Sequence, residues 1–165
     1  GRGATFTVTL PIRAVTQADA RGAAGRGEPG QARVAGIRLD GTRVMVIDDE
    51  VDDRDLVAMV LARAGGDRRA AGWVGEAMAQ LPDFHPDVLV TDIGMPGQDG
   101  YELIRRVRAS GAEWAGVRAI ALTAYGRLED RARALAAGFN LHLAKPVSPA
   151  DLVAATAGLR RGTPP

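Results

Sequence analysis

Residues 43–50 read Arg-Val-Met-Val-Ile-Asp-Asp-Glu, a short apolar run that breaks abruptly into three acids. Val44, Met45, Val46 and Ile47 follow one another without polar alternation, which suits a strand covered on both faces, as in a parallel sheet. The pattern recurs downstream. Asp87–Thr91 (Asp-Val-Leu-Val-Thr), Arg118–Leu122 and Leu141–Ala144 are further brief runs bounded by polar residues or Gly, and Asp67–Ala71 is a weaker strand candidate. Stretches of helical period lie between them. Leu56, Val57, Val60, Leu61 and Ala64 form one stripe, and Leu103, Ile104 and Val107 another. Leu128, Ala132, Leu135 and Ala136 form a third, and Leu152, Ala155 and Leu159 a fourth. Met78 and Leu81 predict a short helix between the second and third strands. Five strand–helix pairs predict an α/β fold, a doubly wound five-stranded parallel sheet with helices on both faces. In such folds functional groups gather outside the carboxyl ends of the strands.

Those ends are chemically rich. The first run ends in Asp48-Asp49-Glu50, the third in Asp92 and the fourth in Thr123, and the fifth is followed by Lys145-Pro146. Lys145 is the only lysine in a chain with twenty arginines. Asp48, Asp49 and Asp92 converging without compensation would repel one another and lose hydration. A hard divalent cation resolves that conflict, and Mg2+ takes oxygen ligands while keeping several waters. One carboxylate can then act as a nucleophile toward phosphorus. A hydroxyl and an ammonium suit the oxygens of a transferring phosphoryl group. Each residue alone has a blander use. Asp48-Asp49 with Asp52, Asp53 and Asp55 would cap a helix and suit its dipole. Asp92 would form a turn, and Thr123 would end a strand. Their arrival on one rim, in register, favours the joint site.

Five motifs lie on these strand ends, in order: Val-Ile-Asp-Asp-Glu (46–50), Val-Thr-Asp-Ile-Gly-Met-Pro-Gly (90–97) with Asp99-Gly100, Ala-Leu-Thr-Ala (121–124), Ala-Gly-Phe-Asn (137–140) and Ala-Lys-Pro (144–146). From Gly41 to Leu159 the chain resembles a response-regulator receiver domain of bacterial two-component signalling, with its flavodoxin-like (βα)5 fold. The resemblance implies that Asp92 accepts a phosphoryl group from the phosphohistidine of a histidine kinase or histidine phosphotransfer domain. It implies Mg2+ held directly by Asp49, through water by Asp48, and by Asp92 and the main-chain carbonyl of Gly94. Thr123 and Lys145 would contact the phosphoryl group, with a cis peptide before Pro146. Phosphorylation would bias a surface around the fourth helix, fifth strand and fifth helix.

His142 stands three residues before Lys145, where receivers usually carry Tyr or Phe. A switch role and an exposed strand position are both open to it. His85 reads as a loop residue, and Trp73 and Trp114 as packing residues at loop–helix junctions. Two rival functions are weighed. A phosphorylation-independent pseudo-receiver that only docks partners would be expected to lack Asp49, Asp92 or Lys145, and all three are here. A phosphatase using an aspartyl-phosphate intermediate usually needs a second acid two residues after the nucleophile, where this chain has Gly94.

Outward from that region the texture changes. Residues 4–11 alternate Thr5, Thr7 and Thr9 with Phe6, Val8 and Leu10, a strand pattern. Gly1–Pro11 resembles the closing glycine box and last strand of a histidine-kinase ATP-binding domain. Residues 1–12 are therefore expected to be a remnant of that domain, 13–40 a Gly/Ala/Arg linker, 41–160 the receiver and 161–165 a tail. The opening Gly1-Arg2-Gly3-Ala4 suggests a piece of a longer polypeptide, and the two resemblances together imply a hybrid histidine kinase. So little of the ATP-binding domain remains that no independent kinase activity is expected of this fragment. Cysteine is absent from the 165 residues, which excludes disulfides, thiolate metal sites and thiol nucleophiles. No apolar stretch approaches the roughly 18 residues of a membrane span, so no membrane contact is expected and the setting is read as cytoplasmic. Six arginines against Asp19, Glu28 and Asp40 leave residues 1–40 only mildly basic. No nucleic-acid partner is expected.

Overall fold

All five residues of Val88–Asp92 are buried, as a strand at the centre of a parallel sheet must be. In the computed structural model, which describes residues 36–124 and 128–160, this strand is β3. It follows β1 (Arg43–Ile47), α1 (Val51–Arg63), β2 (Asp67–Ala71) and α2 (Val74–Phe84). After it come α3 (Gly100–Ala109), a 3-10 turn (Glu113–Gly116), β4 (Arg118–Thr123), α4 (Leu128–Ala137), β5 (Leu141–Ala144) and α5 (Pro149–Arg160). Among the described residues the strands form one parallel sheet in the order β2-β1-β3-β4-β5. The fold is the doubly wound, flavodoxin-like one.

Strand side chains alternate between two apolar layers. Met45, Ile47, Leu89, Ala119 and Ala121 meet α2, α3 and α4 through Val74, Leu81, Leu103, Ile104, Val107 and Ala134. Val44, Val46, Val88, Val90, Ile120 and Leu122 meet α1 and α5 through Val57, Leu61, Leu152 and Val153. The chain runs outward from β1 to β2 and then returns to the other side of β1 as β3. That reversal opens a crevice at the carboxyl ends of β1 and β3, the place where ligands bind in doubly wound sheets. Asp48, Asp49 and Asp92 sit there.

Several expectations need correction. Leu56 is 58% exposed and Ala58 takes the inward place, so α1 is rotated from the stripe its larger residues suggest. On α4, Ala132, Leu135 and Ala136 face outward, with Leu135 43% exposed, while Ala134 is fully buried. The cause is β5, a half-buried edge strand of four residues, which leaves α4 little to cover. Alanine also suits either face of a helix and misleads a periodicity argument. Trp73 is 63% exposed rather than packed. It precedes α2 in extended conformation, and Val74 takes the inward position. Trp114 does pack against the core.

Leu39, inside the stretch expected to be linker, is fully buried, and its N–H donates to the Ala64 carbonyl at 2.8 Å. Ile37 packs on the same layer. The packed unit thus begins ahead of Gly41. The amino-terminal strand expected at residues 4–11, the rest of the linker through residue 35 and the 161–165 tail lie outside the described residues. No helix among the described residues is long and apolar enough to cross a membrane.

Candidate functional site

β1 carries Asp48 to the rim and buries it, with only 2% exposed. Its Oδ1 accepts the Glu50 N–H at 2.9 Å, and its carbonyl accepts from Arg54 at 2.7 Å. These bonds turn the chain directly into α1. Asp49, the next residue, is exposed at the rim. β3 brings Asp92 alongside, its side chain 11% exposed. One carboxylate oxygen from each of Asp48, Asp49 and Asp92 lies within 4.8 Å of the others. The donor set is oxygen throughout and carries more negative charge than its surroundings return. It therefore fits a hard divalent cation.

The loop after β3 must then pass very close to Asp92. A β-carbon on Gly100 would overlap the Asp92 carbonyl oxygen and crowd Ile93. Glycine is what allows the α3 N-terminus to seat against the strand end. Asp99 caps that helix by accepting the Glu102 N–H at 2.8 Å. Gly94 is exposed beside the nucleophile candidate: a β-carbon there would stand 3.3 Å from Asp92 Oδ2.

Lys145 is tied to the end of β4 by its N–H, which donates to the Thr123 carbonyl at 2.7 Å, and the Lys145–Pro146 peptide is cis. Its ammonium donates to three carboxylates: Asp92 Oδ1 at 2.8 Å, Asp48 Oδ2 at 2.9 Å and Asp53 Oδ2 at 3.0 Å. An ammonium has three protons, and here each has an acceptor. Burial alone would lower the Lys145 pKa. The hydrogen bonds to Asp92, Asp48 and Asp53 outweigh it and hold the group above its usual range. Asp48 goes the other way for an acid. Burial raises its carboxyl above the ordinary value, opposed by the bonds from Lys145 and the Glu50 amide. A cation shared among three acids cannot compensate each one fully.

Thr123 closes β4 with its residue 6% exposed, and its Oγ1 lies 2.7 Å from His142 Nε2. The sequence-predicted residues thus come together in two linked groups. Asp48, Asp49, Asp92 and Lys145 form the charged cluster, with Gly94 at its edge. Thr123 and His142 form a hydrogen-bonded pair on β4 and β5.

The family model described as the response regulator receiver domain matches residues 44–157. The chain belongs to this family. Among similar proteins, an uncharacterised 14.6 kDa protein of Leptolyngbya boryana is 44% identical over 110 residues, which are 67% of this chain and 83% of that protein. The transcriptional regulatory protein TrcR of Mycobacterium tuberculosis is 40% identical over 75% of this chain, and the match spans only 48% of TrcR. The sensor protein EvgS of Escherichia coli is 31% identical over 90% of this chain and 12% of its own length. The solved receiver domain of the Francisella response regulator 1452 superposes with a TM-score of 0.68 at 26% identity, covering 73% of this chain and 97% of that one.

One residue of this receiver's site escaped the sequence reading. Asp53 reads as a first-turn acid suited to the helix dipole, yet it holds Lys145. The available signal was its place in the first turn of α1. Helical Cα–Cβ bonds tilt toward the N-terminus, so first-turn side chains lean back to the strand-end rim.

Proposed function

We propose that this receiver accepts a phosphoryl group on Asp92 from a phosphohistidine of a histidine kinase or histidine phosphotransfer domain, and that Mg2+ assists. The observation that carries the reading is Lys145 Nζ at 2.8 Å from Asp92 Oδ1, inside a cluster of three carboxylates with oxygens within 4.8 Å. A buried aspartate with a partly exposed edge and a cation beside it is held ready for attack on phosphorus.

The step balances simply. An Asp92 carboxylate oxygen forms a bond to phosphorus, the phosphorus–nitrogen bond of the donor imidazole breaks, and its electron pair returns to that nitrogen. Lys145 releases Asp92 and follows the charge onto the phosphoryl oxygens, while the Thr123 hydroxyl donates to another of them. When bound, held by Asp48, Asp49, Asp92 and the Gly94 carbonyl, Mg2+ would neutralise charge on the carboxylates and phosphoryl oxygens. Asp48 and Asp53 keep the ammonium within reach of both states. The acyl phosphate would then bias the surface of α4, β5 and α5 toward a partner.

Similarity over 90% of the chain to a protein named as a sensor, of which it spans 12%, supports a place inside a larger sensor protein. The resemblance of Gly1–Pro11 to the end of a kinase ATP-binding domain makes that protein a cytoplasmic hybrid histidine kinase in our reading. The decisive experiment adds a small acyl-phosphate donor with Mg2+ and measures intact mass. One phosphoryl adduct is expected, and none in Asp92→Ala. An adduct that survives in Asp92→Ala, mapped to another residue, overturns the assignment.

A further inference from the structure

Between α1 and α5 lies an apolar groove of about 380 Å3, lined by Gly36, Ile37, Val60, Ala64, Pro149 and Val153. Val60 and Ala64 belong to the end of α1, Pro149 and Val153 to the start of α5. Ile37, Val60 and Ala64 are only partly buried, so the apolar layer of α1 and α5 is left incomplete at this place. An unpartnered groove of this kind asks what covers it.

The chain leads to the answer. Leu39 is fully buried against α1, Ile37 packs on the same layer, and Gly36 lies on the groove itself. The thirty-five residues before Gly36 therefore enter the receiver across this groove. Across residues 16–35 the only large apolar side chain is Val34, two positions before Gly36. Gly36 lies in a turn. The first and fourth residues of a β-turn approach within about 7 Å, and Val34 and Ile37 have that spacing.

We infer that the carboxyl end of the linker docks in the α1–α5 groove, with Val34 seated beside Ile37 against Val60 and Val153. So short a tether gives Val34 a high local concentration at the groove, and the seat needs little affinity of its own. The nearby arginines do not oppose it. Arg38 is already paired with Asp40 at 2.9 Å, and Arg33 can lay its stem along the groove while its charge stays in water. The seat has a consequence for what precedes the receiver. It fastens the upstream chain to the α1–α5 layer and leaves α4, on the other side of the sheet, clear for a partner. None of this depends on Asp92 being the phosphoryl acceptor.

The test is methyl NMR of the full chain with labelled valines, the Val34 signals being assigned by their loss in Val34→Ile. Nuclear Overhauser contacts from Val34 to Val60 and Val153 are expected. Val34→Ser should shift the Val60 and Val153 signals, while Val74 and Val107, in the opposite layer, stay in place and report an intact fold. Val34→Ile should keep the Val60 and Val153 signals near their wild-type positions. A sample mixing two differently labelled copies separates contacts within a chain from contacts between chains. Contacts only between chains would show that a second copy fills the groove, and the inference falls. It falls equally if Val34 touches neither valine, or if Val34→Ser leaves both signals unmoved, and the groove would then belong to an external partner.

Discussion

Lys145 concentrates the chemistry of the site in one side chain. Its three protons go to carboxylates just past β1, on α1 and at the end of β3. A compact ammonium can turn from Asp92 to a phosphoryl oxygen without moving its stem far. Guanidinium would keep the charge but impose a planar fork on a site built for a point. Lys145→Arg is therefore expected to fold, yet to fail in passing phosphorylation on to β5. The check is an NMR comparison with and without beryllofluoride. Identical shifts in both proteins around Leu141–Ala144 and α4 would reduce Lys145 to a structural charge. Thr91, next to the acceptor, makes the opposite kind of prediction. Its hydroxyl is the only buried side-chain polar atom without a partner among the described residues. Valine has nearly the same shape and nothing to leave unsatisfied, so Thr91→Val should gain about 1 kcal/mol in urea unfolding. A loss of stability would mean the hydroxyl has a bonded water in solution.

At the scale of elements, helix rotation decides which leucines hold the protein together. Leu103 of α3 is 1% exposed and packs under the sheet, while Leu135 of α4 is 43% exposed. Leu103→Ala should cost about 2–5 kcal/mol by cavity formation, and Leu135→Ala should stay below about 1 kcal/mol. Chemical denaturation of the two variants checks this. Comparable losses would put Leu135 back in the core. The strand ends were legible in sequence because the signal is local: an apolar run stops and an acid, a Thr or a Lys follows. Asp48, Asp49, Asp92, Thr123 and Lys145 could be read that way. The rotation of α1 and α4, the exposure of Trp73 and the reach of Asp53 to Lys145 depend on neighbours distant in sequence. Burial of Leu39 likewise depends on Ala64, twenty-five positions later. Residues from distant segments meet only in the folded chain.

The whole molecule gathers Asp48, Asp49, Asp53 and Asp92 at one end of the sheet and sets a single ammonium among them. Burial at this rim raises the Asp48 carboxyl above its ordinary value, and the neighbouring Asp92 charge adds only a minor part. The pH dependence follows from that direction. Between the unfolded and the raised folded pKa, the folded chain holds more protons. In that window Asp48 makes the metal-free protein more stable as pH falls. A bound cation has the opposite preference, since it needs the ionised carboxylates. Mg2+ should stabilise near neutrality by mass action, about 1.4 kcal/mol at ten times its Kd. The gain should shrink as protons compete at lower pH. Asp49→Ala should remove most of it while leaving the buried core untouched, because Asp49 is exposed. Thermal unfolding across a Mg2+ titration, near neutrality and again in mild acid, separates the two effects. A melting temperature indifferent to millimolar Mg2+ near neutrality would show that Lys145 alone balances the cluster, and the metal would have no part in holding this site.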